Sequence, residues 1–179
     1  IMDEENPAFE MRMTQFLEWY LFTRKLDDIG LTPAQYALQI DDFAMTAEER
    51  PRFENLALIR HSLFEFLKIR GDDIHIRDLF LDRKIVIHNS PISIGFNRGE
   101  FFDGRLVPDN EDFHFSRAFC FHPVEAGKYI NSEVKKLRKS TSGDREAFML
   151  KLMKMRYKYE QYRHLKLDYV YTNEKKVRF

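Results

Sequence analysis

His114, Cys120 and His122 are the residues of this 179-residue chain whose types and spacing come nearest to chemistry. If residues 113–121 form a strand, alternate side chains share a face, and the three lie together on one side of it. Cys120 and His122, two apart, could then hold one metal ion or form a thiolate–imidazole pair. His75 and His88, on neighbouring predicted strands, could complete such a cluster. Two requirements stand against it. A reactive cysteine needs an activating environment, and a metal needs three or more converging ligands, neither of which spacing supplies. The bland alternative is a sheet face covered by helices, with each histidine hydrogen-bonded or solvated. The expectation is no catalytic residue, no cofactor and no tightly bound transition metal.

Weaker leads follow the same logic. Asp73, Asp78, Asp82, Glu100, Asp103 and Asp112 fall at predicted turns of the sheet. Paired carboxylates there could act as acid and base or hold a divalent cation, but turns favour Asp for local backbone hydrogen bonds in any case. Gly95 to Gly99 lacks the Gly-Lys-Ser/Thr ending of a phosphate loop. Ser90 and Ser93 lack nucleophile-elbow glycines, so no serine hydrolase is indicated. Lys151 to Lys166 interleaves cations with rings, which suits nucleic acid. An amphipathic helix with its Tyr and Met packed inward and its lysines in water explains the same residues.

The elements that must position these residues are legible from periodicity. Asn6-Pro7 reads as a cap and first-turn proline. Phe9, Met13, Phe16, Leu17, Tyr20 and Leu21 then recur at helical spacing over residues 7–26, with Trp19 expected against a Phe-rich sheet. Thr32 and Gln35 form a capping box for a short helix over 33–40, and Thr46 to Glu49 make a turn before a helix over 51–61. From residue 62 the period changes to two. Strands are predicted at 63–70, 74–77, 84–88, 101–107 and 113–121, separated by turn residues. Phe113, Phe115, Phe119 and Phe121 share one face of the last. Beyond Pro123, Tyr129, Ile130, Val134 and Leu137 mark a helix. Residues 144–166 carry a heptad seam of Phe148, Leu152, Met155, Tyr159 and Tyr162, flanked by Lys151, Lys154 and Lys158. Tyr169 to Tyr171 have strand propensity.

Composition bounds the class. Hydrophobic residues are 44% and charged residues 32%, a globular balance, and 17 Phe supply core area without hydrogen-bonding demands. One cysteine excludes an intramolecular disulfide framework and favours a reducing compartment. No apolar run is long enough to span a bilayer, and no signal peptide is evident at the start. Ile1 ahead of Met2 points to a tag remnant or to a piece of a longer chain. The net charge of zero divides into −8 over residues 1–123 and +8 over 124–179. Such halves attract each other or an acidic partner of the basic half.

Two stretches carry a resemblance. One is Phe16-Leu17-Glu18-Trp19-Tyr20-Leu21-Phe22 with Gly30-Leu31-Thr32-Pro33. The other is Ser62-Leu63-Phe64-Glu65, Ile76-Arg77-Asp78-Leu79-Phe80, Gly99-Glu100 and Arg105-Leu106. Together, over about residues 9–123, they resemble an uncharacterised bacterial domain that sometimes stands upstream of a cysteine-rich SEC-C metal motif. The resemblance implies no known activity, and the cysteines of that motif are not in this sequence, so no zinc site of that type is expected.

These observations set an α+β expectation: N-terminal helices, a small five-stranded antiparallel curled sheet or partial barrel, then C-terminal helices. One domain is expected over residues 1–179: helical 7–61, sheet 62–122, helical 124–166, tail 167–179. The functional expectation is a cytoplasmic, non-catalytic interaction or scaffold domain that binds another protein or a second copy of itself. Its partner-binding residues would be Phe148, Lys151, Leu152, Lys154, Met155, Lys158, Tyr159 and Tyr162. The alternatives are a nucleic-acid-associated protein using the basic C-terminal helix, and an enzyme or metal-binding protein using the His114/Cys120/His122 face. No membrane association is expected.

Overall fold

The computed structural model describes residues 9–40, 44–91, 97–110, 112–141 and 143–174. Helices α1 (Phe9–Phe22), α2 (Pro33–Ala37) and α3 (Arg50–Ala57) precede strands β1 (Arg60–Arg70), β2 (Asp73–Asp78), β3 (Arg83–Ile87), β4 (Phe101–Asp109), β5 (Asp112–Phe115) and β6 (Cys120–His122). A 3₁₀ turn at Val124–Ala126 leads to α4 (Gly127–Lys139), α5 (Arg145–Gln161) and α6 (Leu167–Val170). The class is α+β. The strand order is β3-β2-β1-β4-β5, with β6 also paired to β4, in an antiparallel sheet. Among the described residues no helix is long and apolar enough to cross a membrane. The expected cap at Asn6-Pro7, and Ser93, Gly95 and residues 175–179, lie outside the described residues.

Among the described residues the sheet has six strands rather than five because the predicted strand 113–121 breaks. Leu106 pairs with Phe115 and Asp103 with Cys120, so residues 116–119 lie opposite Gly104 and Arg105 alone. That surplus of residues cannot stay in the ladder and loops out as a bulge. Ser116 N still donates to Arg105 O (3.0 Å), while Phe119 N turns back to Arg117 O (3.2 Å).

The chain forms two compact units, one within residues 1–61 and 104–119 and the other within 62–103 and 120–179. In the first, α2 starts as expected: Thr32 Oγ1 accepts from Gln35 N (3.3 Å), and Gln35 Oε1 accepts from Thr32 N (3.1 Å). Thr46 and Glu49 form the same reciprocal box before α3.

Helix α1 departs from expectation. Its one buried residue is Gln15, whose amide donates to Phe119 O (2.5 Å). Glu18 pairs with the buried Arg105 (3.7 Å), and Arg105 also donates to Thr23 Oγ1 (2.9 Å). The apolar stripe faces outward instead: Phe16 and Leu17 are each 49% exposed, Leu21 40% and Tyr20 36%. Trp19 is half-buried, its ring centroid 6.2 Å from that of Phe16.

The second unit holds the main apolar cluster. Ile130 and Val134 of α4, Phe148, Met149, Leu152 and Met155 of α5, and Val170 and Tyr171 around α6 close over Leu63, Leu79, Phe80 and Phe101. Gly127 is required where α4 begins, because a Cβ there would lie 2.5 Å from the Phe101 ring. Asp144 caps α5 by accepting from Ala147 N (2.9 Å). Arg138 of α4 ties the helix to the β2–β3 turn, donating to Leu79 O (2.7 Å) and pairing with Asp82 (3.0 Å). Tyr169 to Tyr171 do not extend the sheet. They form and follow a helical turn, because Val170 and Tyr171 are needed on the core side of α5.

Candidate functional site

Register on two short strands builds the one cluster of ligand-type side chains among the described residues. Phe101 of β4 faces His122 of β6, and Asp103 faces Cys120. With a period of two, Asp103, Cys120 and His122 fall on one side of the ladder and Phe102 and Phe121 on the other, where their rings pack at 5.5 Å. A carboxylate oxygen, the Cys120 thiol sulfur and an imidazole nitrogen lie within 4.8 Å of one another. All three residues are buried, at 6%, 3% and 1% exposure.

The surroundings set the protonation states. Burial pushes the Cys120 thiol well above its usual range, and the Asp103 charge pushes the same way. Burial lowers His122 to about 4, against an opposing pull from Asp103 and with Arg156 adding to the lowering. The pair is therefore neutral thiol and neutral imidazole at neutral pH, not the thiolate–imidazolium pair of a nucleophilic cysteine. His122 Nδ1 lies 3.2 Å from Tyr171 Oη, whereas its Nε2 is buried without a hydrogen-bond partner. An unsatisfied buried nitrogen costs about 1–3 kcal/mol. Arg156 donates to Phe121 O (2.7 Å) and pairs with Glu160 (3.0 Å) beside the cluster.

The structure thus joins two of the three expected residues and replaces the third. His114 lies in β5, exposed and 2.9 Å from Asp109. His75 stands half-buried in β2, and His88 is exposed with its Nδ1 3.1 Å from Asp73. Asp103 is the residue that sequence reasoning misplaced: it sits inside β4 rather than in a turn. An acidic residue in the apolar run Phe101-Phe102-Asp103 was the available signal, and Gly104 obscured it.

The other carboxylates serve locally. Asp78 accepts from Phe80 N and Leu81 N (both 3.0 Å), Asp112 from Phe113 N (2.8 Å), Glu100 from Asn97 N (2.9 Å) and Asp73 from Asn89 N (3.3 Å). Hydrogen bonds from Arg77 and then Arg138 lower the Asp82 carboxyl below its usual range. Gly99 serves a turn at φ +78°.

The α5 seam is part of the second unit's own interior. Phe148, Leu152 and Met155 are buried there, and the half-buried Tyr159 packs against them. Lys154 and Lys158 are exposed, and Lys151 is exposed with its Nζ on Asn173 Oδ1. Comparison with protein-family models, with curated proteins and with solved structures returns no match.

Proposed function

We propose that this chain is a non-catalytic interaction domain that self-associates through α1. The observation that carries the reading is the inversion of that helix. Gln15, Glu18 and Thr23 engage its own unit, while Phe16, Leu17, Tyr20 and Leu21 form a contiguous exposed apolar stripe over two turns. Contiguous exposed apolar stripes mark interaction surfaces. A second copy fits by charge. Glu10 lies in the first turn, and Arg24 and Lys25 follow the last, so antiparallel pairing of two α1 helices sets acid against base at both ends. Burying the exposed halves of the four side chains contributes about 1 kcal/mol each, or on the order of 8 kcal/mol over two copies. Association costs of about 4 kcal/mol or more leave about 4 kcal/mol at most, a weak dimer of roughly millimolar affinity, so the concentration series must reach that range.

The cytoplasm of a bacterium is the setting that suits one buried free thiol and the resemblance of residues 9–123. Neutral Cys120 and His122 favour the non-catalytic reading.

Sedimentation velocity over a concentration series tests it. The wild type should shift from monomer to dimer as concentration rises. Leu17→Asp should remain monomeric with unchanged circular dichroism, and replacing Lys151, Lys154 and Lys158 by Ala should change nothing. A monomer at every concentration, or a dimer indifferent to Leu17→Asp, refutes self-association through α1. Steeply salt-dependent binding of RNA or DNA, lost in the triple lysine variant, would replace it with the nucleic-acid alternative.

A further inference from the structure

We infer that Asp103, Cys120 and His122 form a binding site for a divalent transition metal ion of the zinc class. Three observations on separate grounds converge. The first is donor type: one sulfur, one imidazole nitrogen and one carboxylate oxygen make a borderline-soft set that suits zinc or cobalt and not magnesium or calcium. The second is geometry. The donors come from two paired strands, two of them directly opposite in register, and lie within 4.8 Å of one another. Around a tetrahedral ion, bond lengths of about 2.0–2.3 Å put ligand atoms roughly 3.3–3.8 Å apart, so closure takes side-chain movement of about 1 Å and no change of strand register. The third is an unmet demand. His122 is 1% exposed, yet Nε2 has no hydrogen-bond partner, a state rare in folded proteins and relieved by an ion with its ligands.

A supporting group is also in place. Ligand histidines are commonly oriented through their second ring nitrogen or by a neighbouring polar group. The Tyr171 hydroxyl, 3.2 Å from His122 Nδ1, holds the ring at this position. Tyr171 follows α6 and is itself buried, so occupancy of the site also bears on how firmly the C-terminal turn is held. Binding exchanges the Cys120 S–H bond for a sulfur–metal bond and releases the proton to solvent. Three protein ligands leave one coordination position for water. Tyr171 is a positioning residue for His122 and not counted among the ligands. The site is independent of the α1 stripe and stands or falls apart from self-association.

The experiment uses the full chain, stripped with chelator and titrated with Co²⁺, followed by the near-ultraviolet thiolate-to-cobalt charge-transfer band. The expected result is a band saturating at one Co²⁺ per chain and displaced by Zn²⁺. Cys120→Ser should abolish the band, Asp103→Asn should weaken binding severalfold or more, and Tyr171→Phe should weaken it by about tenfold. Circular dichroism of each stripped variant checks that it is folded. A second measurement needs no variant: Zn²⁺ should raise the melting temperature of the stripped wild type, and Mg²⁺ should not. No stoichiometric Co²⁺ or Zn²⁺ uptake by the wild type, or a band that persists in folded Cys120→Ser, overturns the site and leaves the cluster a buried polar contact.

Discussion

Leu152→Ala separates a seam that serves the chain's own core from one that serves a partner. Leu152 is fully buried in α5, in one cluster with Phe148, Met149, Ile130 and Val170. The truncation forfeits the transfer free energy of the lost carbons, roughly 2 kcal/mol. A cavity penalty adds to it, because helices on one side and strands on the other restrict collapse, so the total is about 3–4 kcal/mol. Denaturant unfolding followed by far-ultraviolet circular dichroism reports it, since α4 and α5 dominate the helical signal of that unit. Fluorescence of Trp19, which sits in α1, reports the other unit and serves as a contrast. Lys154→Ala on the exposed flank of the same helix should fall within about 0.5 kcal/mol of wild type. The loss for Leu152→Ala must be the same at low and high protein concentration. A loss below about 1 kcal/mol, or one that grows with protein concentration, would refute the assignment of this seam to the internal core.

Two further outcomes follow from the second unit. Arg138→Ala removes the guanidinium from Leu79 O and Asp82 and should cost about 1–2 kcal/mol by denaturant midpoint; no change would mean that water replaces both contacts freely. Tyr129, pushed up to about 12 by burial and by the Glu133 charge, should ionise later than an exposed tyrosine in an alkaline ultraviolet titration, and Tyr129→Phe should remove that late step. Because the unfolded chain releases this proton near 10, stability is full below pH 10 and falls as pH rises towards 12.

Elements set by local chemistry were legible in the sequence. The capping box at Thr32 needs only residues three apart and forms with the expected hydrogen bonds, and Thr46 and Glu49, expected only as a turn, close a reciprocal pair of the same kind. Ile74, Ile76 and Ile87 lie buried where period-two patterning put them on strands. The break of strand 113–121 was not legible, because Phe113, Phe115, Phe119 and Phe121 keep their alternation through it. What interrupts the ladder is the count of residues opposite them in β4, and a strand's own sequence does not contain its partner's register. Helix α1 shows the same limit from the other side. Its apolar spacing identifies a helix but not which face turns inward. Arg105, buried at 3% exposure, needs an acceptor and a counter-charge, and Thr23 Oγ1 and the Glu18 carboxylate provide them only when the polar face is turned towards it. One buried guanidinium, whose desolvation without partners would cost several kcal/mol, outweighs the partial burial of four apolar side chains.

The candidate site was half legible for a related reason. Residues two apart on one strand share a face whatever else the fold does, so Cys120 and His122 were certain neighbours once residues 120–122 paired as a strand. His114 was joined to them by extending the same strand, and the bulge at residues 116–119 breaks that extension. The third donor comes from across the ladder, where the pairing of Asp103 with Cys120 depends on a surplus of residues that no local pattern records. Sequence spacing therefore names the members of a site that belong to one element. The third member of the cluster is a property of register, which places Asp103 directly opposite Cys120.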